Sequence, residues 1–450
     1  MREERAAYIE AIRQLQGDVE GRQAALAFMD ASDARAHGEV LEFPFVPYLL
    51  NASDRAFLEH DMQLAHGILE KVIDRYLQHP GYRSLFHFPQ AVEDLILLPC
   101  AYSQKLPLCR LDIFLDEDDF SYKFCEFNAD GSGAMSRDLL MGQALMGSES
   151  FKAFARGRDV RQFELFDSWV DAFLECWREH AAATGCAKEL PSVAVTDFAE
   201  SGVFSDFRRF IAAFEARGCP ARFVDARAFA FDGEHLVDPA DGTVIDAIYR
   251  RAVTSELLGH LDECQALIEA TARQKVCLVG HFRTTVIHSK MVNVALFAPA
   301  TRAFLTPEEN AFVAAHVPRT YRLLSGSEEF SLDEVLQHKD AWIIKPADDY
   351  GAHGVYPGVD FDAGQWRELV EGNLDAGYIV QEYYRPPEVP LVKTRLDAQT
   401  GDPCRVESWQ SMPGVYLYNG KVRGLYCRLG QEGVIALDHG GLCAPSFMVG

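Results

Sequence analysis

Apolar residues follow a helical period through the first part of the chain. Residues 1–90 are predicted to be mostly helical, and one long helix is expected from Asp54 to about Leu77, where Leu58, Met62, Ile68 and Ile73 recur at helical spacing. Asn51, just before that helix, can cap its first turn. The pattern therefore indicates a helical N-terminal region.

The pattern then alternates between strands and helices. Helix is expected over residues 150–183, and residues 192–252 alternate strands with one helix, which is typical of a lobe with a partly parallel sheet. Another helix is expected from Thr254 to about Thr271. Further strands are predicted at 341–345 and 378–384, and short strands with Gly turns after them. The expected fold class is α/β.

Between Cys109 and Asn128, the period changes to two, and the runs CRLDIFLD and SYKFCEFN flank an acidic turn. This pattern predicts a β-hairpin. If its turn centres on Asp119, then Asp112 lies opposite Glu126, and the polar face carries Arg110, Asp112, Glu126 and Asn128. The other, apolar face would carry Leu111, Ile113, Cys125 and Phe127.

The polar face of this hairpin offers two carboxylates and an amide. Asp112, Glu126 and Asn128 supply the oxygen ligands that a hard divalent cation prefers, with room for water and phosphate oxygens. A half-exposed hairpin whose polar face only meets water would show the same alternation. Small residues follow directly at 131–134, and they allow a ligand to approach the backbone, or simply form a tight turn.

Two lysines are candidates for binding phosphate. Lys345 ends a predicted strand before a Gly-containing loop, and Lys290 precedes an apolar segment. An ammonium group beside a flexible loop suits nucleotide phosphates. The strand that ends at Gln381-Glu382 could offer backbone groups to adenine. Taken singly, each piece also fits a structural loop, an ordinary strand or a solvated lysine.

Composition narrows the function classes. The 450 residues include 43 Lys and Arg against 67 Asp and Glu, a net charge of −24. This balance argues against nucleic-acid binding and against an electrostatic grip on anionic membranes. No apolar run reaches the length of a membrane span, and the first residues lack a signal pattern, so a cytoplasmic location is expected. The eleven cysteines form no C-x-x-C pair and are expected to be reduced.

These motifs, in this order, resemble a known family. R-x-D at 110–112, E-x-N-A-D at 126–130, S-K at 289–290, K-P-x-x-x-x-G-x-x-G-V at 345–355 and Q-E at 381–382 are similar to the glutathionylspermidine synthase group of ATP-grasp ligases. In that group the metal-binding hairpin precedes the nucleotide lysines, and this sequence has the same order. The resemblance spans roughly residues 85–450.

The resemblance implies an ATP-grasp fold with a Rossmann-like lobe before it and a helical N-terminal region. It divides the chain into four parts. These are a helical region over 1–95, the hairpin segment of the ATP-grasp core over 96–150, helices with the Rossmann-like substrate lobe over 151–280, and the nucleotide-binding region over 281–450.

The resemblance also implies a role for each motif residue. Mg²⁺ would be held by Asp112, Glu126 and Asn128, and the ATP phosphates by Lys290 and Lys345. The loop from Asp348 through Gly351 to Gly354 would be a flexible lid, and Gln381 and Glu382 the adenine hinge. Arg110, and similarly Arg428, would steady an acyl phosphate. The family has hydroxyl residues after N-A-D, whereas this sequence has Gly131-Ser132-Gly133, which leaves Ser132 as the candidate for binding the acid.

The expected activity is an ATP- and Mg²⁺-dependent ligation of a small-molecule or peptide carboxylate to an amine. Such a reaction needs charge neutralisation and placement more than a protein nucleophile, which agrees with the lack of a persuasive nucleophile triad. Two alternatives stay open. One is a protein that binds Mg-ATP without catalysis and acts as a partner or scaffold, and the other is a phosphotransferase that acts on a non-carboxylate group.

Overall fold

The computed structural model describes residues 1–36, 39–348, 353–396 and 401–450. Its helices are α1 Arg2–Gln14, α2 Val19–Ala31, α3 Ala52–Gln78, α4 Pro80–Arg83, α5 Gln90–Ile96, α6 Met135–Met146, α7 Glu149–Ala155, α8 Asp167–Thr184, α9 Phe204–Ala216, α10 Thr254–Leu258, α11 Gln265–Ala272, α12 Thr285–His288, α13 Met291–Phe297, α14 Pro299–Arg302, α15 Pro307–His316, α16 Leu332–Gln337 and α17 Ala363–Gly372.

The strands complete a mixed α/β structure. They are β1 Arg35–Ala36, β2 Glu39–Val40, β3 Tyr48–Asn51, β4 Leu108–Leu115, β5 Tyr122–Asn128, β6 Val160–Gln162, β7 Val193–Asp197, β8 Ala221–Asp225, β9 Ala230–Phe231, β10 Leu236–Asp238, β11 Thr243–Ile245, β12 Ala247–Arg250, β13 Cys277–Val279, β14 Thr320–Arg322, β15 Trp342–Pro346, β16 Tyr356–Pro357, β17 Tyr378–Glu382, β18 Glu388–Leu391, β19 Glu407–Tyr418, β20 Lys421–Gly430, β21 Leu442–Ala444 and β22 Ser446–Val449.

The predicted hairpin is confirmed as β4 and β5, and it lies in a six-stranded antiparallel sheet. The strand order is β21-β20-β19-β4-β5, with β18 also paired to β19. Asp112 pairs with Glu126 and Arg110 with Asn128, as the alternation predicted. The sheet therefore joins the early hairpin to strands that come some three hundred residues later.

A β-bulge shifts the hairpin register beyond Asp112. Ile113 pairs with Phe124, so Cys125 has no partner across the ladder. The prediction that Cys125 faces the apolar side is wrong. Phe124 takes that place in the core beside Ile113, and Cys125 lines a cavity instead. An extra residue in one strand moves the following side chains to the other face, and alternation alone does not reveal it.

The parallel sheet of the middle region is confirmed, with strand order β13-β12-β7-β8. Two helix predictions need correction. The helix expected from Thr254 to Thr271 is broken into α10 and α11, because a turn follows Gly259. The helix expected over 150–183 is interrupted by β6, which pairs with β22 at the far end of the chain. Such a long-range pairing leaves no local signal.

A separate four-stranded antiparallel sheet has the order β14-β17-β15-β16. It contains both strands predicted at 341–345 and 378–384. Helix α17 packs with it around the fully buried Trp366. The helix begins at Asp362, whose carboxylate accepts hydrogen bonds from the amides of residues 364 and 365. The two central strands are β15, which carries Lys345 of the predicted phosphate site, and β17, which ends with Gln381 and Glu382 of the predicted adenine hinge.

The N-terminal helices are confirmed, and they pack directly on the hairpin. Helix α3 starts at a capping box formed by Asn51 and Asp54. From α1, Arg5 forms a buried ion pair with Glu117 in the hairpin turn, 2.5 Å between Nη2 and Oε1. Within the part of the chain that the structure describes, no helix has the length and apolar character that crossing a membrane requires.

Candidate functional site

A cavity of about 400 Å³ lies where the hairpin, the start of α13 and the four-stranded sheet meet. We call it the central cavity. Eight of the predicted site residues line it: Arg110, Glu126, Asn128, Lys290, Lys345, Gln381, Glu382 and Arg428. Asp112 contacts Arg110 and Asn128 among them. Residues that are far apart in the sequence therefore share one site.

The hairpin face carries a cluster of charge. Arg110 donates two hydrogen bonds to Asp112, at 2.7 Å from Nε to Oδ1 and at 3.0 Å from Nη2 to Oδ2. Asn128 donates its amide to both carboxylates, at 2.9 Å from Asp112 and 3.2 Å from Glu126. Arg428, from β20, donates one nitrogen to both Asp112 and Glu126, the latter at 2.9 Å. The two carboxylates are held together by arginine and amide donors.

The two carboxylates differ in burial and in pKa. The side chain of Asp112 is 1% exposed, and burial raises its pKa although Arg110 and Arg428 oppose that rise. The side chain of Glu126 is 31% exposed toward the cavity. Burial alone would raise the pKa of Glu126, but the charges of Arg428 and Lys290 hold it well below its usual range. Glu126 is the ionised carboxylate that faces the cavity.

The donor set fits a divalent cation. Two carboxylates and an amide converge on one face, and their oxygen atoms are of the type that a hard divalent cation prefers, although Arg110 and Arg428 already offset the charge of the carboxylates. Among the described residues, no group of three or more His, Cys, Asp or Glu side chains is arranged to hold a metal. The hairpin face therefore offers three candidate ligands only if the amide of Asn128 is counted with the two carboxylates. Asp112, Glu126 and Asn128 are thus residues that could hold Mg²⁺, and Glu126 is the more accessible of the two carboxylates.

The two lysines lie on neighbouring segments that line the same cavity. Lys345, 8% exposed, donates to the Oε1 atom of Gln381 at 2.9 Å. Gln381 in turn donates to the hydroxyl of Thr320 at 2.8 Å. Lys290 is tied to the same region, because its backbone amide donates to the carbonyl of Ala347 at 2.9 Å. The side chain of Gln381 therefore positions Lys345.

The residues predicted to form the lid and the adenine hinge differ in whether they line the central cavity. Asp348 is exposed, and neither it nor Gly354 is among the residues that line the central cavity. Gly351 lies outside the described residues. Glu382 lines the cavity, where its backbone amide donates to the carbonyl of Arg319 at 2.9 Å and its carboxylate accepts from the amide of Arg319 at 3.0 Å. The lid and the adenine hinge stay predictions.

Ser132 is buried, and its hydroxyl donates to the carbonyl of Asn128 at 2.8 Å. The hydroxyl thus supports the turn that follows the hairpin. Its neighbours Gly131 and Gly133 line the cavity with their backbone. The role of Ser132 in binding the acid stays a prediction.

The structure adds two cavity residues that the motifs did not reveal, Arg137 near the start of α6 and Arg251 just after β12. Arg251 is 4% exposed, and its Nε has no hydrogen-bond partner; the Nε of Arg137 also lacks one. Nothing in the local sequence separates them from surface arginines.

Comparison with known proteins supports the fold. No protein-family model matches the sequence, and no curated protein matches it significantly. Among solved structures, the chain is similar to a glutathione synthetase-like effector (GSS30) from Globodera pallida, solved in its apo form. The TM-score is 0.60 and the identity 11%, with 96% of each chain covered. It also matches a protein described as a candidate γ-glutamylcysteine synthetase from Methylobacillus flagellatus, with a TM-score of 0.37, 12% identity and 88% of each chain covered.

At these identities, the first match establishes the fold and the second carries no argument. The chain is a mixed α/β protein whose fold is similar to that of the glutathione synthetase-like effector. The α/β fold class expected from the sequence is confirmed.

Proposed function

We propose that the protein is an ATP- and Mg²⁺-dependent ligase that joins a carboxylate to an amine, with the central cavity as its active site. One observation carries the proposal. The charged face of the hairpin and two lysines from far later in the chain line the same cavity. We assign the hairpin sheet and the four-stranded sheet to an ATP-grasp fold, with the parallel sheet as the preceding lobe. The four predicted segments, 1–95, 96–150, 151–280 and 281–450, are kept as part of this proposal.

In this reaction a carboxylate oxygen of the acid attacks the γ-phosphorus of ATP, the bond to the bridging oxygen breaks, and ADP leaves. The amine nitrogen then attacks the acyl carbon of the acyl phosphate, the C–O bond breaks, phosphate leaves, and the amine loses its proton to solvent. Lys290 and Lys345 would bind the triphosphate, since ammonium groups are suited to phosphate oxygens.

Arg110 and Arg428 would stabilise the negative charge that develops as the acyl group is transferred from phosphate to the amine. Both are fixed before any ligand binds, because each is hydrogen-bonded to Asp112. Donors that are already held in place need not reorganise when charge develops in the transition state. Such preorganised electrostatic stabilisation is the largest contribution to catalysis in many active sites. When bound by Asp112, Glu126 and Asn128, Mg²⁺ would supply charge neutralisation for phosphoryl transfer.

Hydroxylamine tests the proposal without knowledge of the amine. The purified chain is incubated with ATP, Mg²⁺, hydroxylamine and a panel of mono- and dicarboxylates, amino acids and short peptides. We expect ADP and an acyl hydroxamate in equal amounts, both dependent on the acid and on Mg²⁺. If no acid produces a hydroxamate while the protein binds ATP, the ligase assignment is wrong.

A matched pair of variants shows that turnover comes from this cavity. Arg428→Ala should abolish hydroxamate formation, because it removes the guanidinium shared by the two carboxylates. Arg178→Ala changes an exposed arginine on α8 and should leave the rate unchanged. Equal rates of hydroxamate formation in both variants would show that the reaction does not take place in the central cavity.

A non-catalytic Mg-ATP-binding protein is the second candidate. The observation that favours it is the full engagement of Asp112 by Arg110, Arg428 and Asn128, which leaves Glu126 as the accessible carboxylate. Calorimetry that detects Mg-ATP binding, together with no hydroxamate from any acid, would select this alternative.

A further inference from the structure

Three arginines surround the backbone segment that follows the hairpin. Nη1 of Arg110 donates to the carbonyl of Gly133 at 3.4 Å. On the other side of the same residue lies Arg251, since a Cβ placed on Gly133 would be 2.4 Å from its Nη2. The glycine thus lets the guanidinium of Arg251 approach the backbone. Arg110 and Arg251 therefore both lie beside Gly133, at the end of the cavity that this residue lines.

Arg137 joins this arrangement through Tyr426. The guanidinium of Arg110 lies 5.3 Å from the centroid of the Tyr426 ring, and the hydroxyl of that tyrosine lies beside Arg137. Arg137 and Arg251 both line the central cavity. The proposed chemistry at the hairpin and lysines uses neither of them.

The hydrogen-bonding groups of the two arginines are only partly satisfied by the protein. Asp206 is near both arginines and lies 3.4 Å from the terminal nitrogens of Arg251, and Asp197 is a second carboxylate whose charge acts on Arg251. Asp206 also accepts from the amides of Ala134 and Ser136, at 3.0 Å and 2.8 Å. Among the described residues, no carboxylate lies within 4.0 Å of Arg137. Buried guanidinium nitrogens without a partner cost free energy unless a ligand satisfies them.

The acidic residues that line the cavity form no ion pair with Arg137 or Arg251 in the described part of the chain. Within the described part of the chain they are Glu126, on the hairpin, Glu382, at the end of β17, and Asp438, in the loop after β20. The Arg137 and Arg251 end therefore presents guanidinium groups to a ligand and no carboxylate to receive an ammonium group.

We propose, resting on the ligase function above, that the acid substrate carries a second carboxylate that binds between Arg137 and Arg251, with no ammonium beside it. The substrate class is thus a dicarboxylic acid, or a peptide-like acid whose far end is acylated, and not a free α-amino acid. Arg110 receives the reacting carboxylate, and the two further arginines receive the other.

Wild-type protein alone tests this assignment, using the hydroxylamine reaction with matched acids. Succinate, glutarate, adipate, pimelate and suberate are each compared with their mono-amides, and glutarate is also compared with L-glutamate. At the best chain length, we expect kcat/KM for the diacid to exceed that for the mono-amide about 10- to 100-fold, because a hydrogen-bonded charge contributes about 1.5–3 kcal/mol. L-glutamate should be disfavoured similarly. Equal values for diacid and mono-amide, or a preference for L-glutamate, would overturn the proposal.

Variants locate the subsite. Arg137→Gln should remove most of the preference for the diacid while changing the mono-amide little, and Arg137→Lys should restore part of it. Arg178→Gln, on the exposed face of α8, should change neither. Equal loss with both acids in Arg137→Gln would contradict a carboxylate subsite.

Failure of the ligase function is a separate result. If no acid yields a hydroxamate, calorimetry measures the binding of the same diacids to the wild-type protein and to Arg137→Gln. Binding of a diacid that weakens at least about tenfold in the variant supports the subsite and contradicts the ligase. Failure of all the diacids to bind the wild-type protein overturns the subsite.

Discussion

Nη2 of Arg428 lies 2.9 Å from Oε1 of Glu126, although 302 residues separate the two in sequence. The contact exists because β19 pairs with β4 on one side and with β20 on the other. A guanidinium from the last hairpin therefore neutralises the carboxylates of the first one. This relationship places charge stabilisation and the candidate metal ligands on one sheet.

Removing the charge of Glu126 tests the candidate metal site. Glu126→Gln should lower Mg²⁺-dependent turnover by about 100-fold or more, since it removes the accessible ionised ligand. The hydroxamate rate across a Mg²⁺ titration is the measurement. Glu215→Gln, on the exposed face of α9, is the control and should behave as wild type. Full activity of Glu126→Gln at low Mg²⁺ would rule this residue out as a ligand.

Lys345 is expected to bind phosphate. Lys345→Met should weaken ATP binding about 10- to 100-fold, because a charge-assisted hydrogen bond contributes about 1.5–3 kcal/mol. Calorimetry with a non-hydrolysable ATP analogue and Mg²⁺ measures this directly. Lys421→Met alters an exposed lysine on β20 and should leave the affinity unchanged. Unchanged affinity in Lys345→Met would remove this lysine from the nucleotide site.

Gly133 is expected to be required for the position of Arg251. In Gly133→Ala the new Cβ would be 2.4 Å from Nη2 of Arg251, so the guanidinium must move away. The KM for the acid should rise about tenfold, the loss of one charged hydrogen bond, while ATP affinity stays the same. Gly67→Ala, in α3, meets no atom within 4 Å and should be neutral or stabilise the fold by about 0.5–1 kcal/mol. An unchanged KM in Gly133→Ala would show that Arg251 does not contact the acid.

Stability should depend on pH through Asp138. Burial raises the pKa of this carboxyl from 3.8 to about 7, opposed by hydrogen bonds from Ser446. The folded chain therefore binds more protons than the unfolded chain between these values, so the stabilisation is complete below about 3.8 and is lost as pH rises through about 7.

Thermal unfolding between pH 5 and pH 8 checks this sign. Asp138→Asn cannot ionise, so its unfolding temperature should fall less over that range than that of the wild type, and the variant should be the more stable at pH 8. Asp262→Asn changes an exposed carboxylate and should keep the wild-type profile. Parallel profiles for wild type and Asp138→Asn would exclude Asp138 as the titrating group.

The sequence was most informative where a motif and a period coincide. Alternation placed Asp112 opposite Glu126, and the hairpin confirms that register because both residues lie before the bulge. The alternation pattern gave the wrong face for Cys125. One extra residue in the strand reverses the face on which the side chains lie, and the pattern does not show where that residue is inserted. Likewise, the break after Gly259 was missed, since the apolar period continues on both sides of it.

The composition of the site was only partly predictable. The family resemblance brought Arg428 and Lys290 into the prediction, but the partners of each side chain depend on long-range pairing. Gln381 was predicted as part of an adenine hinge, which stays a prediction, and the bond from Lys345 to its side chain could not be foreseen because it depends on β15 and β17 being neighbours. Arg137 and Arg251 depend on how α6 and β12 approach the hairpin, which no local pattern encodes.

The most direct test of the central claim is a crystal structure of the chain with Mg²⁺ and a non-hydrolysable ATP analogue. We expect the triphosphate in the central cavity, between Glu126 on the hairpin and the lysines Lys290 and Lys345, with the metal ion contacting Glu126. A nucleotide bound elsewhere, with the Arg428–Glu126 pair unchanged and no phosphate within reach of either lysine, would contradict the account.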